Sequence, residues 1–273
     1  MTDTRSQTET MSPTARQYTE LWENTLRPRI WQAMEDGRNP TAWLDAPWAE
    51  VAKILTQQDL NAGTIADIWE TLLAWCRRAE QHKLYGQIRR RSVCDTVRNL
   101  IPHEKTRPEQ IIDLYRGRWY EPHTLPTIPA ARCLTAEHLQ QIADEAGWDW
   151  QLAAHPAVTE EQLRQMVEAA DASGDENKIF WTGQAVSEHP NSGAAELRWA
   201  FERLRYQAGI GDKAALHPNA PADVRIAWKL HVGLDKVRQQ SWDDEQLRIA
   251  ADLAENWTGS WQDLVAVIQG ASR

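Results

Sequence analysis

The sequence predicts an all-α protein whose second half is an array of stacked helical units. Three His-Pro dipeptides, His155-Pro156, His189-Pro190 and His217-Pro218, each open a run with helical periodicity. Apolar residues recur at helical spacing along nearly the whole chain, and no segment shows the sustained alternation of a strand bounded by hairpin turns. We therefore expect a helical-repeat fold of the α-solenoid type, preceded by an N-terminal helical region.

Composition divides the chain into four predicted regions. A Thr- and Ser-rich stretch without an apolar core indicates a disordered tail and no secretory signal. A stretch containing Pro122, Pro126 and Pro129 indicates a linker. The predicted regions are the tail over 1–15, the N-terminal helical region over 16–116, the linker over 117–134 and the helical repeat region over 135–273.

Apolar periodicity predicts the helices in chain order. One face is shared by Trp22, Leu26, Ile30 and Met34. Pro28 interrupts this segment because proline breaks the helical hydrogen-bond pattern. Further helices are predicted over 47–55, from Thr64 through Cys76, and over 93–101. In the repeat region they are predicted near 135–147, 159–171, 192–208, 220–232, 243–256 and 259–269, with a polar loop over 171–178.

Each His-Pro dipeptide has the character of a helix start. The residue before a proline is driven out of the α conformation, so each His ends the preceding element. Thr159, Ser192 and Asn219 then stand where a side-chain oxygen caps the next helix, and Gln162 completes a capping box with Thr159. Degenerate copies of the start are predicted at 103–111, 133–139 and 241–247.

The turn His217-Pro218-Asn219-Ala220-Pro221 resembles that of the variant leucine-rich repeat family, whose units join such a turn to a leucine-bearing helix. The resemblance covers residues 100–255 and implies a right-handed superhelix of paired helices. Some family members hold an iron–sulfur cluster, yet Cys76, Cys94 and Cys133 are too few and too scattered for four thiolate ligands. We therefore expect no cofactor.

Charge is distributed unevenly along the chain. Residues 134–273 contain 12 Lys and Arg against 22 Asp and Glu, whereas residues 1–133 contain 18 against 17. An acidic surface repels a phosphate backbone and attracts a basic protein. The repeat region is therefore predicted to bind a basic protein partner.

Tryptophan is unusually frequent, with 15 Trp against two Phe. Buried between helices, Trp supplies a large apolar surface and needs a partner for its indole N–H. Alternatively, Trp181, Trp199 and Trp228, at loosely similar places in successive repeats, line a groove and anchor a partner. Both interpretations are kept, and these three residues are the partner-binding candidates.

A basic segment over residues 77–98 is the second candidate site. Its role is either a solvated helix face, an internal dock for the acidic repeats, or contact with nucleic acid or an acidic partner. Its basic residues are Arg77, Arg78, Lys83, Arg89, Arg90, Arg91 and Arg98.

No standard catalytic or phosphate-loop motif occurs in the sequence, so we expect no enzyme activity. The His-Pro histidines lie one repeat apart and do not converge, which favours a structural role over a metal site. We predict a cytoplasmic, non-membrane scaffold or adaptor that binds a protein. The alternatives are a nucleic-acid-binding or repair protein that uses residues 77–98, and a small regulatory or immunity-type protein with one cognate partner. The oligomeric state stays open.

Overall fold

The computed structural model describes residues 12–56, 60–117, 119, 128–207 and 209–271. All regular secondary structure in these residues is helical, so the predicted all-α class is confirmed. The chain forms two compact units, unit 1 over residues 1–147 and unit 2 over residues 148–273. Among the described helices, none is both long enough and apolar enough to cross a bilayer.

Unit 1 begins with a long helical segment that changes its winding before Pro28. Residues 1–11 of the predicted tail lie outside the described residues. The first helix begins at Pro13, within the span predicted as the tail. A π-helical turn, Trp22–Leu26, precedes Pro28, which occupies the first turn of the next helix. The helices are α1 Pro13–Leu21, α2 Arg27–Glu35, α3 Pro40–Leu44, α4 Trp48–Ile54, α5 Ala62–Gln81, α6 Tyr85–Ile88, α7 Arg91–Leu100, α8 Pro108–Arg116 and α9 Ala136–Ala146, with a 3₁₀ turn at Ile128–Ala130.

Tryptophan forms much of the core of unit 1. The Trp43 ring lies 4.2 Å from Trp75, which also contacts Trp48 at 5.6 Å between centroids. The indole N–H of Trp69 donates to Thr106 Oγ1 at 3.0 Å. The core interpretation is therefore confirmed for the five Trp that are each less than 2% exposed, namely Trp22, Trp43, Trp48, Trp69 and Trp75.

Helix α9 belongs to unit 1, although the sequence groups it with the repeats. The Arg116 guanidinium of α8 donates two hydrogen bonds to the Glu145 carboxylate of α9, at 2.8 and 2.9 Å. The predicted start of this helix is confirmed, because Thr135 and His138 form its capping box. Most of the predicted linker over 117–134 lies outside the described residues.

Unit 2 is a succession of helices, and several of them contact the next helix but one along the chain. Helix α12 contacts both α10 and α14, while α11 contacts α13 and α15 contacts α17. The pair α11 and α12 therefore packs against the pair α13 and α14. Its helices are α10 Trp150–Ala153, α11 Glu160–Ser173, α12 Glu176–Glu188, α13 Ala194–Leu204, α14 Ile210–Leu216, α15 Ala222–Lys229, α16 Leu234–Arg238, α17 Asp244–Ala254 and α18 Trp261–Ala271.

The predicted loop over residues 171–178 is wrong. Helix α11 continues to Ser173, and only two residues separate it from α12. Gly174 ends α11 with φ of 63°, a left-handed conformation that costs glycine little, and the Asp175 carboxylate caps α12. Helix α12 escaped prediction because neighbours on several sides bury it, so it shows no single apolar stripe.

Candidate functional site

The three His-Pro turns of unit 2 share one geometry. In each, the imidazole Nδ1 accepts the backbone N–H two residues later, at 3.1 Å, from Ala157, Asn191 and Asn219 respectively. The histidine carbonyl also accepts the N–H three residues later, which closes the turn. Because Nδ1 is an acceptor, the neutral imidazole carries its proton on Nε2.

The Nε2–H of the second and third histidines links each of these turns to the turn before it. His189 Nε2 donates to the carbonyl of His155, and His217 Nε2 donates to the carbonyl of His189, both at 3.0 Å. A parallel set of bonds comes from the asparagines, because Asn191 Nδ2 donates to Val158 O and Asn219 Nδ2 to Ser192 O. The predicted structural role of the histidines is confirmed, and we call this array the histidine ladder.

Two of the predicted helix caps are wrong, because the side chains of Ser192 and Asn219 bond to carbonyls earlier in the chain. Ser192 is buried, and its hydroxyl donates backwards to the carbonyl of Val186 at 2.6 Å. Asn219 uses its amide on the preceding turn instead of the following helix. Thr159 does cap its helix, and its capping box with Gln162 is confirmed.

Burial favours the neutral form of His189, the histidine in the middle of the ladder. Desolvation lowers the pKa of His189, and the neighbouring His155 and His217 act in the same direction, whereas the bond to the His155 carbonyl opposes them. His189 therefore favours the neutral imidazole that the ladder requires. Over the described residues, no group of three or more His, Cys, Asp or Glu side chains is arranged to hold a metal ion.

A turn of the same kind occurs in unit 1 at His103, as the sequence predicts. His103 Nδ1 accepts the N–H of Lys105, and the Thr106 hydroxyl donates to the carbonyl of Leu100, as Ser192 does to Val186. Here the buried Nε2 has no hydrogen-bond partner among the residues that the structure describes. The His103 turn therefore has the local fold of a turn in the histidine ladder, but it lacks the Nε2 bond to a preceding turn.

Three aromatic side chains of unit 2 form a surface cluster. Trp181 of α12 is 42% exposed, and its ring stacks on Trp150 of α10 with 5.5 Å between centroids and 27° between planes. Phe180 meets Trp181 edge-on at 5.1 Å. We call Trp150, Phe180 and Trp181 the aromatic cluster.

The structure does not bring the three predicted Trp candidates together. Trp199 and Trp228 are half-buried, and no ring contact among the described residues joins either to the aromatic cluster. The Trp228 indole N–H donates to Asp212 at 2.8 Å, while the Trp199 indole N–H is buried and has no partner within the described part of the chain. Trp150 was missed because its stacking partner lies in a different helix, a contact that helical periodicity does not reveal.

The predicted basic segment is divided between two grooves of unit 1. Arg90, Arg91 and Arg98 line the first, together with Lys53 of α4 and Asp95, in a volume of about 640 Å³. These five residues define the basic groove.

The other basic residues of the segment lie elsewhere. Arg77 and Arg78 line a second groove of about 360 Å³ beside Trp31. Lys83 and Arg89 are exposed and line neither groove. The seven predicted basic residues therefore do not form one surface.

Comparison of the chain with protein-family models, curated proteins and solved structures gives no match.

Proposed function

We propose that the chain is a non-enzymatic scaffold or adaptor that binds a basic protein through unit 2. The observation that carries the proposal is the aromatic cluster. A half-exposed Trp held flat against a second Trp presents a rigid apolar anchor, and Trp is enriched among the residues that contribute most to protein binding. Because the Trp150 ring already orders Trp181, little side-chain entropy is lost when a partner binds.

Charge around the aromatic cluster supports a basic partner. Helix α12 opens with Asp175 and Glu176, one and a half turns before Trp181, and Glu176 is exposed. The region from residue 134 onward carries the acidic excess of the chain. Such a field accelerates encounter with a positively charged surface and disfavours acidic ones.

The histidine ladder supports a stacked-repeat architecture of the variant leucine-rich repeat kind, with a right-handed superhelix. Each Nε2 bond of the ladder fixes the register of one helix pair against the previous pair. The acceptors are backbone carbonyls, so they do not depend on the side chains at those positions. Repeat proteins use such stacking to present an extended binding surface. We place this activity in the cytoplasm, and the three free cysteines are in keeping with a reducing compartment.

Site-directed photo-crosslinking tests the proposal. The photoreactive residue p-benzoyl-phenylalanine replaces Trp181 in one variant and Tyr206, which is 84% exposed, in the matched control. After irradiation in the native host, we expect discrete protein adducts at position 181 and none of these at position 206. One adduct in stoichiometric yield indicates a regulatory or immunity-type protein, and several indicate a scaffold. Absence of a protein adduct specific to position 181 contradicts both forms of the proposal.

A further inference from the structure

The basic groove in unit 1 gathers cationic groups from two helices. Lys53 comes from α4, while Arg91 and Arg98 belong to α7 and Arg90 precedes it. Of the described residues that line the groove, Asp95 is the one that is acidic. The four cationic side chains therefore exceed the local acidic charge, in a chain whose net charge is −9.

Hydrogen bonds between the two helices hold the groove open in a fixed shape. The Asn99 amide of α7 donates to the carbonyl of Ala52 at 2.9 Å, and the Thr96 hydroxyl shares its proton between the carbonyl of Ser92 in its own helix, at 2.9 Å, and that of Trp48, at 3.1 Å. Arg90 Nη1 donates to the carbonyl of Leu44 at 2.7 Å. The walls are thus built before any ligand arrives, as in most binding sites for small groups.

Two of the cations are available for a ligand. Lys53 is exposed and has no ion pair among the described residues. The Arg91 side chain is 92% exposed, and its nearest acidic atom, on Asp95, is 3.7 Å away. Arg98, in contrast, is held by Asp95 at 2.8 Å. Lys53 and Arg91 can therefore bind an anion without breaking a contact that stabilises the fold.

The chemistry of the lining fits phosphate groups. No aromatic ring lines the basic groove among the described residues, and its apolar lining consists of Ala49, Ala52 and side-chain stems. The first turn of α7 adds backbone N–H groups, because the N–H of Cys94 makes the first hydrogen bond of that helix, to Arg90 O. Guanidinium forks bind phosphate oxygens in pairs, so a chain of phosphates suits the groove better than an apolar ligand.

We propose that the basic groove binds the phosphate backbone of single-stranded nucleic acid. Exposed aromatic rings in the same unit favour this ligand over an acidic peptide. Trp31, 44% exposed, lines the second groove with Arg77 and Arg78, and Tyr85, which lies between Lys83 and Arg89 in the sequence, is 51% exposed; neither ring lines the basic groove itself. Proteins that bind single strands combine cationic grooves with aromatic rings on which bases stack. This proposal is independent of the partner of unit 2.

The test uses fluorescence anisotropy of labelled oligo(dT) and oligo(U) titrated with the full chain at several salt concentrations. The groove variant is Lys53→Glu with Arg91→Glu. The matched control is Arg38→Glu with Arg132→Glu, which makes the same charge change at exposed positions outside the groove. Lys53→Gln with Arg91→Gln repeats the test without charge reversal. Circular dichroism and thermal unfolding establish that every variant keeps the parent fold.

We expect the parent to bind both oligonucleotides and the groove variant to bind at least about tenfold more weakly than the control. The slope of log Kd against log salt should fall by about 1.4 in the Gln variant, because each lost phosphate contact on a single strand accounts for about 0.7. The proposal is overturned if the parent does not bind, or if the control loses as much affinity as the groove variant. It is also overturned if poly-glutamate displaces the oligonucleotides at equal charge concentration, since the groove would then be a general acidic-peptide dock.

Discussion

His189, like His217, has both imidazole nitrogens in hydrogen bonds, and of the two it is the buried one, at 3% exposure. Nδ1 accepts the Asn191 N–H, and Nε2 donates to the His155 carbonyl. Protonation would place a second N–H against the Asn191 N–H, so the ladder and the imidazolium are incompatible. The lowered pKa of His189 has burial as its main cause and acts in the same direction.

Stability should therefore fall in mild acid. The folded pKa of His189 lies below that of an unfolded histidine, about 6.5. The unfolded chain binds more protons as the pH drops below that value, so the full contribution is present above about pH 6.5 and is lost on acidification. We expect the urea-unfolding free energy to decrease from neutral pH towards pH 5, and His189→Gln to remove part of this decrease.

The matched control for that experiment is His231→Asn. His231 is exposed and has φ of 51°, a left-handed conformation that Asn tolerates. The control should keep the acid-dependent loss of the parent. An identical pH profile in the parent and in His189→Gln would rule out His189 as its source.

Sequence reasoning predicted the histidines of the ladder better than their neighbours. A His before proline has to be extended, and the residue itself imposes this constraint. The bonds made by Ser192 and Asn219, in contrast, depend on the carbonyls of Val186 and of the preceding turn, so local capping rules misassigned them. Helix-capping rules consider only the backbone groups nearest in sequence, so they miss bonds to a neighbouring turn.

At the scale of the helix, Gly211 of α14 lies against the backbone of Arg205, the residue that follows the end of α13. A Cβ atom at Gly211 would lie 2.5 Å from the Cα and 2.7 Å from the carbonyl oxygen of Arg205. These are backbone atoms, so a side-chain rotation does not relieve the collision. The loop between α13 and α14 is therefore shaped around the missing side chain.

Gly211→Ala should lower the unfolding free energy by about 1–2 kcal/mol, because the clash outweighs the helix-propensity gain of about 1 kcal/mol. Gly270→Ala in α18 is the control, since a Cβ there would meet no heavy atom of the described residues within 4 Å. It should be neutral or stabilising. Chemical denaturation of both variants gives the two values, and equal stability would show that the backbone yields freely at Gly211.

Helices with one apolar stripe were predictable, and helices buried on several sides were not. Helix α5 has ten buried positions and a clear stripe, and its predicted start at Thr64 lies two residues from the observed one. Helix α12 buries small and polar residues such as Thr182, Gly183 and Ser187 among its neighbours, which erases the pattern. Packing partners, supplied by the tertiary fold, decide this case.

At the scale of the whole molecule, the two candidate binding sites lie in different units. The basic groove lies in unit 1, and the aromatic cluster lies in unit 2, within the part of the chain that carries the acidic excess. The charge asymmetry was visible in the sequence. The choice of Trp150 over Trp199 and Trp228 as the partner of Trp181 was not, because it depends on how α10 meets α12.

The central claim is that unit 2 binds a protein through the aromatic cluster. Affinity capture from the native host tests it most directly, with the parent, Trp181→Ser and the control Tyr206→Ser compared at low and high salt. Protein and nucleic acid are both quantified in each eluate, and unfolding midpoints show that the variants are folded. We predict a salt-resistant protein that the parent and Tyr206→Ser retain and Trp181→Ser loses. Salt-labile nucleic acid alone, or a protein that all three capture equally, would contradict the claim.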